Sequence, residues 1–600
     1  MTWDLTNYFP EFNGAAMLQF KQAIATDIAA LQKTAASLPA LDGATTNDWQ
    51  DILLRNEDLS RRMSHFGSYI GCLASSDARN ESYQKEEAEL TRTRAELAKV
   101  RIEMLRAFKA ASDELFAAFI ARPKLNGAEN YLKRLRTEAR RAMTAEKEIL
   151  ATDLSVDGIQ AWGRLYDTLS AKLEFDMVYP DGRRMRLPAS QRRSLLDDPD
   201  RRVRQAAFEG GNAAWQSIED SAAAALNAIA GTRLTLNRHR GVDHFLDIAL
   251  FQAAITGKTL DAMLEALLAN LEMPRRALQL KAKLMGRDQA AWFDLGAPLD
   301  LADQEKLSWN SARTMIATSF NHAYPALGSF FERQVIAKNW VDWEPRAGKR
   351  PGGYCTSSML SKESRIFMTY NESLGDMLTL AHESGHAYHG AMMRDMRPYA
   401  RGYPMTLAET ASTFGENVLM NGILDDPQVS DRQKAMILDI EIGHGAVYLL
   451  DIPVRYEFEK SFYEERMKGP LSVSRLKELM VETQRRIIGD VLEPGGEDPY
   501  FWASKLHFYI TGITFYNFPY TFGYLLSRAL YAMFKAEGNS FLPKYEEFLR
   551  RAGSDTAENV VKQTIGRDIE KTEFWSEAIR SLEAPLSQLQ ALLAKLKTQN

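Results

Sequence analysis

TLAHESGHAYHG, residues 379–390, places three histidines and a glutamate in a run otherwise made of helix-forming residues. His382 and His386 are four apart. On an α-helix that spacing puts both imidazoles on one face, one turn apart, where they can share a single ion. Glu383 stands next to the first of them and can reach a water beside that ion. Neutral imidazoles with a carboxylate suit Zn2+, which accepts mixed nitrogen and oxygen ligands, and H-E-x-x-H is the pattern in which such a pair works with a neighbouring glutamate base. With 9 histidines in 600 residues, a chance occurrence is on the order of one in a hundred. Gly385 costs a helix interior about 1 kcal/mol relative to alanine, which points to a close backbone approach at that position. His389 is read as structural rather than as a ligand.

The flanks extend the pattern. Upstream, Leu374 to Leu380 is good helix material, with Asn371 or Ser373 available as its cap. Downstream, LAETASTFGE (407–416) belongs to a helix expected to start near Met405. A catalytic zinc needs a third protein ligand and an open position. Glu409 and Glu416 are seven apart and share a helix face. A carboxylate among small and apolar neighbours needs a partner. Spacing alone leaves Glu409 either a ligand or a capping, solvent-facing group, with Glu416 suited to support a ligand histidine.

Elsewhere helical periodicity dominates, as from Tyr83 to Leu115 and from Glu138 to Glu174. A β-hairpin is expected where Phe175–Tyr179 meets Arg183–Leu187 across Pro180-Asp181-Gly182. Pro199 is expected in the first turn of the helix that follows. Gly352 to Tyr370 reads as a second strand-rich island, and Pro494-Gly495-Gly496 and Pro519 as breaks. A division near residue 190 separates a helical N-terminal lobe, 1–190, from the part bearing the chemistry, 191–600.

Composition narrows the class. Hydrophobic residues make up 45%, charged residues 26%, and the net charge is −5, which fits a globular chain and gives no footprint for nucleic acid. The basic run from Arg183 to Arg204 is broken by Asp197, Asp198 and Asp200, as on a solvated face. Two cysteines, Cys72 and Cys355, exclude a disulfide framework and fit a reducing compartment. No secretory leader or membrane span is read. The expectation is a cytoplasmic protein with no membrane or nucleic-acid partner, a monomer or weak homo-oligomer.

Taken with LAETASTFGE, HESGHAYHG resembles the M3 family of zinc peptidases, and within it the oligoendopeptidase F branch. EFDMVYPDGRRMRL with DDPDRRVRQAAFEG, KRPGGYCTS, and HFYITGITFYNFPYTFGYLLS resemble further segments of that branch in the same order. The resemblance implies a mainly α, two-lobed, zincin-type fold with a small β-sheet beside a deep substrate channel. It assigns residues 1–190 to a lobe with the oligopeptidase F-type N-terminal region and 191–600 to the M3-type catalytic domain. It implies one Zn2+ per chain held by His382, His386 and Glu409, with Glu383 as general base and Glu416 supporting the histidines. Tyr524 matches a tyrosine that faces the scissile carbonyl. The rest of that segment departs from the thimet oligopeptidase spacing, so His507, Tyr509, Tyr516 and Tyr520 are all candidates, against core aromatic packing for at least two of them.

The expected reaction is hydrolysis of short oligopeptides, with the oxyanion supported by a tyrosine hydroxyl or a histidine N–H. Gly352, Gly353 and Tyr354 begin a strand whose edge can pair with an extended peptide through main-chain hydrogen bonds. The alternative is a plain structural hairpin. Competing functions are a zinc carboxypeptidase or dipeptidase on a related helical fold, and a non-catalytic peptide-binding scaffold.

Overall fold

A computed structural model describes residues 1–299 and 306–599. It is mainly helical, 69% helix against 4% strand, as the periodicity predicts. The chain forms two compact units, each drawn from three stretches: Met1–Arg141, Gln304–Asp426 and Met533–Arg567 in the first, and Ala142–Asp303, Pro427–Ala532 and Asp568–Asn600 in the second. Among the described residues no helix is long and apolar enough to cross a membrane.

The first unit begins with three mutually packed helices, α1 (Ala15–Ser37), α2 (Thr46–Ser76) and α3 (Glu81–Ala110). The Asn80 side chain caps α3 by accepting from the amides of Ser82 and Tyr83, which satisfies two donors that have no partner within the helix. Their apolar stripes close on a core that includes Trp49, Phe66, Phe108 and Phe119.

In the second unit the expected hairpin is present as β1 (Glu174–Val178) paired antiparallel with β2 (Arg184–Pro188), with Phe175 opposite Leu187. Two proline expectations are corrected. Asp200, not Pro199, caps the next helix, Arg201–Gln216, by accepting from the Arg202 amide, so Pro199 precedes the helix. Pro519 sits in the first turn of the helix Phe518–Glu537. There its missing N–H has no intrahelical role, so it starts a helix instead of breaking one. Pro494 and Gly495 form a turn as expected.

The metal-binding pattern lies in the first unit, where α4 (Trp309–Ala323), β3 (Val341–Asp342), β4 (Tyr354–Ser357), β5 (Ser364–Phe367), α5 (Leu374–Met392) and α6 (Thr410–Asp425) follow one another. The sheet order is β3-β5-β4. β5 is central, parallel to β3 and antiparallel to β4. All four β5 residues are buried, whereas β4 is an edge strand. The strand island is thus a hairpin completed by a distant two-residue strand. Helix α5 packs on β4 and β5 on one side and on α4 and α6 on the other.

Candidate metal centre

Helix α5 starts at Ser373, which wins over Asn371 as cap. Its hydroxyl accepts from the Asp376 amide while the Asp376 carboxylate accepts from the Ser373 amide, a reciprocal capping box. That fixes the phase of the helix that presents His382, Glu383 and His386. Helix α6 crosses it very closely. A methyl group on Gly385 would stand 2.3 Å from the Ala411 carbonyl oxygen and 2.7 Å from Ser412 Cα. One on Gly415 would stand 3.0 Å from the Ala381 oxygen. The two helices therefore cross through a glycine on each, the close approach that Gly385 predicted.

This crossing brings the glutamates to the histidines. Glu409 Oε2 lies 3.2 Å from His382 Nε2 and 3.4 Å from His386 Nε2, and the three donor atoms lie within 4.8 Å of one another. Ligands on bonds of 2.0–2.1 Å in a tetrahedron sit about 3.3 Å apart, and the two separations from Glu409 match that of donors sharing one cation. Glu416 Oε1 is 2.5 Å from His382 Nδ1, leaving Nε2 as the nitrogen that faces the other donors. Contrary to the expected single helix from Met405, Glu409 stands at the break between a four-residue turn, Met405–Ala408, and α6. The Ser412 hydroxyl donates to its Oε2 at 2.9 Å.

The charges fit a cation. Burial opposes a charged His382, but the hydrogen bonds of Glu409 and Glu416 outweigh it and hold the imidazole's pKa well above its ordinary value. Burial likewise opposes a charged Glu409, yet His382 and His386 hold its carboxyl far below the usual range. Glu383 differs: burial pushes its carboxyl up, against the pull of His382 and His386, and its Oε2 is buried without a hydrogen-bond partner. A buried carboxyl with a raised pKa and an unpartnered oxygen, beside candidate metal ligands, is suited to exchange a proton. His389 is structural: its Nε2 donates to the Leu549 carbonyl at 3.0 Å, its ring stacks on Tyr403, and burial pushes its pKa down to about 3.

A cleft of about 560 Å3 opens over these groups, lined by Gly353, Tyr354, Cys355, His382, Glu383 and Glu409 among others. Gly352 has a left-handed φ of +94°. A Cβ on Gly353 would lie 3.7 Å from Glu383 Oε1. The Tyr354 hydroxyl is tied to the scaffold, donating to the Gly71 carbonyl and hydrogen-bonded to the Ser75 hydroxyl. Arg401 and Tyr403 also line the cleft and were missed in the sequence. Ser412 was missed too, although its place three residues after Glu409 in the same motif was a usable signal. A larger cleft of about 1430 Å3 in the second unit contains no group of three metal-capable donors among the described residues.

The tyrosine-rich segment belongs to the second unit. Tyr509 is a core residue, buried and stacked on Tyr166 at 3.6 Å. Tyr524 is also buried, stacked on Tyr448 at 4.5 Å with the Arg528 guanidinium over its ring. His507, Tyr516 and Tyr520 are half-buried and form one aromatic cluster, with ring centroids 5.4 to 6.0 Å apart.

Comparison with known proteins finds relatives along most of the chain. The sequence profile of peptidase family M3 matches residues 194–581, and that of Oligopeptidase F matches 108–175. The oligoendopeptidase F homolog of Lactococcus lactis is 25% identical over 556 residues, covering 90% of this chain and 89% of the relative. The fold is shared with a solved structure from Chlamydophila abortus (TM-score 0.84, 20% identity, 98% of each chain). It is shared also with the oligoendopeptidase-F of Enterococcus faecium (TM-score 0.71, 18% identity, 96% of this chain and 99% of that one).

Proposed function

The chain belongs to peptidase family M3, and from that premise we propose that it is a zinc-dependent endopeptidase of short oligopeptides. The observation that carries the reading is the convergence of His382, His386 and Glu409 beside the buried carboxyl of Glu383. His382, His386 and Glu409 would hold Zn2+, which when bound supplies Lewis acidity to the attacking water and the scissile carbonyl. Glu383 takes the proton of that water and returns it to the leaving amine. Glu416 and Ser412 would hold the ligands in their orientation, and on its resemblance to the family's segment Tyr524 is the proposed oxyanion donor, although its ring is buried. An extended peptide adds to the outer edge of β4, where main-chain pairing gives little side-chain selectivity. The two cysteines are free thiols, which supports a cytoplasmic setting.

The test is digestion of a mixed peptide library, blocked at both ends, with and without a chelator, read by mass spectrometry. Internal cleavage of short members that stops on chelation is expected. Cleavage only of peptides with a free terminus would favour a carboxypeptidase or dipeptidase. Peptide binding without any cleavage by the zinc-loaded protein would leave a scaffold.

The two glutamates separate by metal content. Glu409→Ala removes one of three ligands and should leave the purified protein largely without zinc. Glu416→Ala should keep zinc with affinity reduced about 10–100-fold, the usual effect of losing a ligand's hydrogen-bond partner. Metal analysis giving the reverse order exchanges the two roles. Tyr524→Phe should lower kcat at unchanged zinc content; an unchanged kcat assigns its ring to packing alone.

A further inference from the structure

Within the second unit, His507 is surrounded by groups that fix which of its nitrogens carries a proton. Nδ1 lies 2.8 Å from Asn517 Oδ1. A carboxamide oxygen only accepts, so Nδ1 is the protonated nitrogen. Two neighbours hold the amide this way round. Arg455 Nη1, which only donates, lies 3.5 Å from the same Oδ1 and 3.4 Å from Nδ1 itself, both longer and weaker contacts than the 2.8 Å between Nδ1 and Oδ1. The amide's nitrogen end interacts with the Glu459 carboxyl, although Nδ2 has no well-aligned acceptor there. Turning the amide over would set its NH2 against the guanidinium. Asn517 is fully buried and stands directly before the helix Phe518–Glu537, so it is held in place by packing.

The surroundings of the imidazole lower its pKa and favour the neutral ring. Burial, then the cations Arg455 and Lys505, oppose protonation and outweigh Asn517 and the Asp451 carboxylate. Asp451 is itself engaged by Arg455, whose Nε donates to it at 2.9 Å. A neutral imidazole with its proton on Nδ1 has a lone pair on Nε2.

We propose that Asn517 is a positioning residue that holds His507 in the Nδ1–H tautomer, so that Nε2 accepts a hydrogen bond from a backbone N–H of the bound peptide. This rests on the reading above, in which the 507–524 segment handles substrate. It departs from the expectation that a histidine N–H supports the oxyanion: His507 in this state has no N–H to offer from Nε2, and that task is left to hydroxyl donors. The half-buried ring, edge-on to Tyr516 and stacked with Tyr520, has its position set by aromatic packing and its polarity set by Asn517.

The experiment uses the zinc-loaded full-length chain labelled with 15N-histidine. Two-bond 1H–15N correlation spectra report the tautomer of each ring, and the His507 signals are those lost in His507→Gln. The wild type should show a protonated Nδ1 and a bare Nε2. Asn517→Leu should move the proton to Nε2 and lower kcat/KM on a doubly blocked peptide about tenfold, the scale of one lost neutral hydrogen bond, at unchanged zinc content. Asn517→Asp keeps an acceptor at the same place but its charge raises the imidazole's pKa, so it should restore the tautomer and most of kcat/KM only at a pH where the ring is neutral. A wild-type proton on Nε2 overturns the proposal, and this spectrum decides even if a variant fails to fold. An unchanged tautomer in Asn517→Leu overturns it as well. A wild-type Nδ1–H together with unchanged kcat/KM in His507→Gln overturns the substrate-facing reading beneath it, and the acceptor role with it.

Discussion

Glu383→Gln should lose about 10²- to 10⁴-fold in kcat, the range supplied by a positioned general base, while keeping its zinc. The amide matches the carboxylate in size, so the buried slot beside Gly353 stays filled. It cannot accept a proton, and the task that burial prepares Glu383 for disappears. The ligands His382, His386 and Glu409 are untouched, so metal content should equal that of the wild type. KM should change little, because the proton transfer belongs to the transition state and not to substrate binding. Turnover within a fewfold of wild type, at full zinc occupancy, would remove Glu383 from the base role.

Gly385→Ala should be the most damaging single methyl in the first unit. Helix propensity favours the change by about 1 kcal/mol. Against that, the new Cβ would meet the Ala411 carbonyl oxygen at 2.3 Å, the Ala411 carbonyl carbon at 2.8 Å and Ser412 Cα at 2.7 Å. All three are backbone atoms, so no side chain can turn aside, and α5 and α6 must separate. Overpacking of this kind costs about 1–3 kcal/mol or more. The separation also pulls Glu409 and Glu416 away from the histidines. The expected result is a lower Tm together with a loss of zinc. Gly415→Ala, whose Cβ would meet the Ala381 oxygen at 3.0 Å, should show the same two effects more weakly. A Gly385→Ala protein with wild-type Tm and zinc would mean that the crossing is not held at this distance.

The site was legible in the sequence where its logic is local. His382 and His386 are set by one helical turn, and Gly385 announced the crossing by its cost within a helix. Ser373 could not be preferred to Asn371 from residue types alone, because the choice rests on the return hydrogen bond from Asp376. By residue type Glu409 falls on a continuous helix, since nothing in Met405 to Glu416 signals a break; the break appears only in the fold. Prolines 199 and 519 were misplaced by a few residues for a related reason: a proline marks a helix boundary without saying on which side the boundary falls.

The tyrosine-rich segment shows the opposite case. His507, Tyr509, Tyr516, Tyr520 and Tyr524 are chemically alike in sequence, and no spacing rule separates them. Their burial does. Tyr509 disappears under Tyr166, 343 residues earlier in the chain, while His507, Tyr516 and Tyr520 stay half-buried as a cluster. Asn517 had no signal at all, because its meaning lies in the atom it turns toward His507.

What the sequence by itself determined is the helical character of the chain, the two histidines and the glutamate beside them, and the family to which these residues belong. All follow from periodicity and short spacing, which a chain carries before it folds. Tertiary structure decided that Glu409 and Glu416 meet the same histidine from two sides, and which strand is left as an edge. It also decided which of five like residues remain open. These depend on backbones approaching within a few ångströms across dozens to hundreds of residues, and packing alone sets such distances.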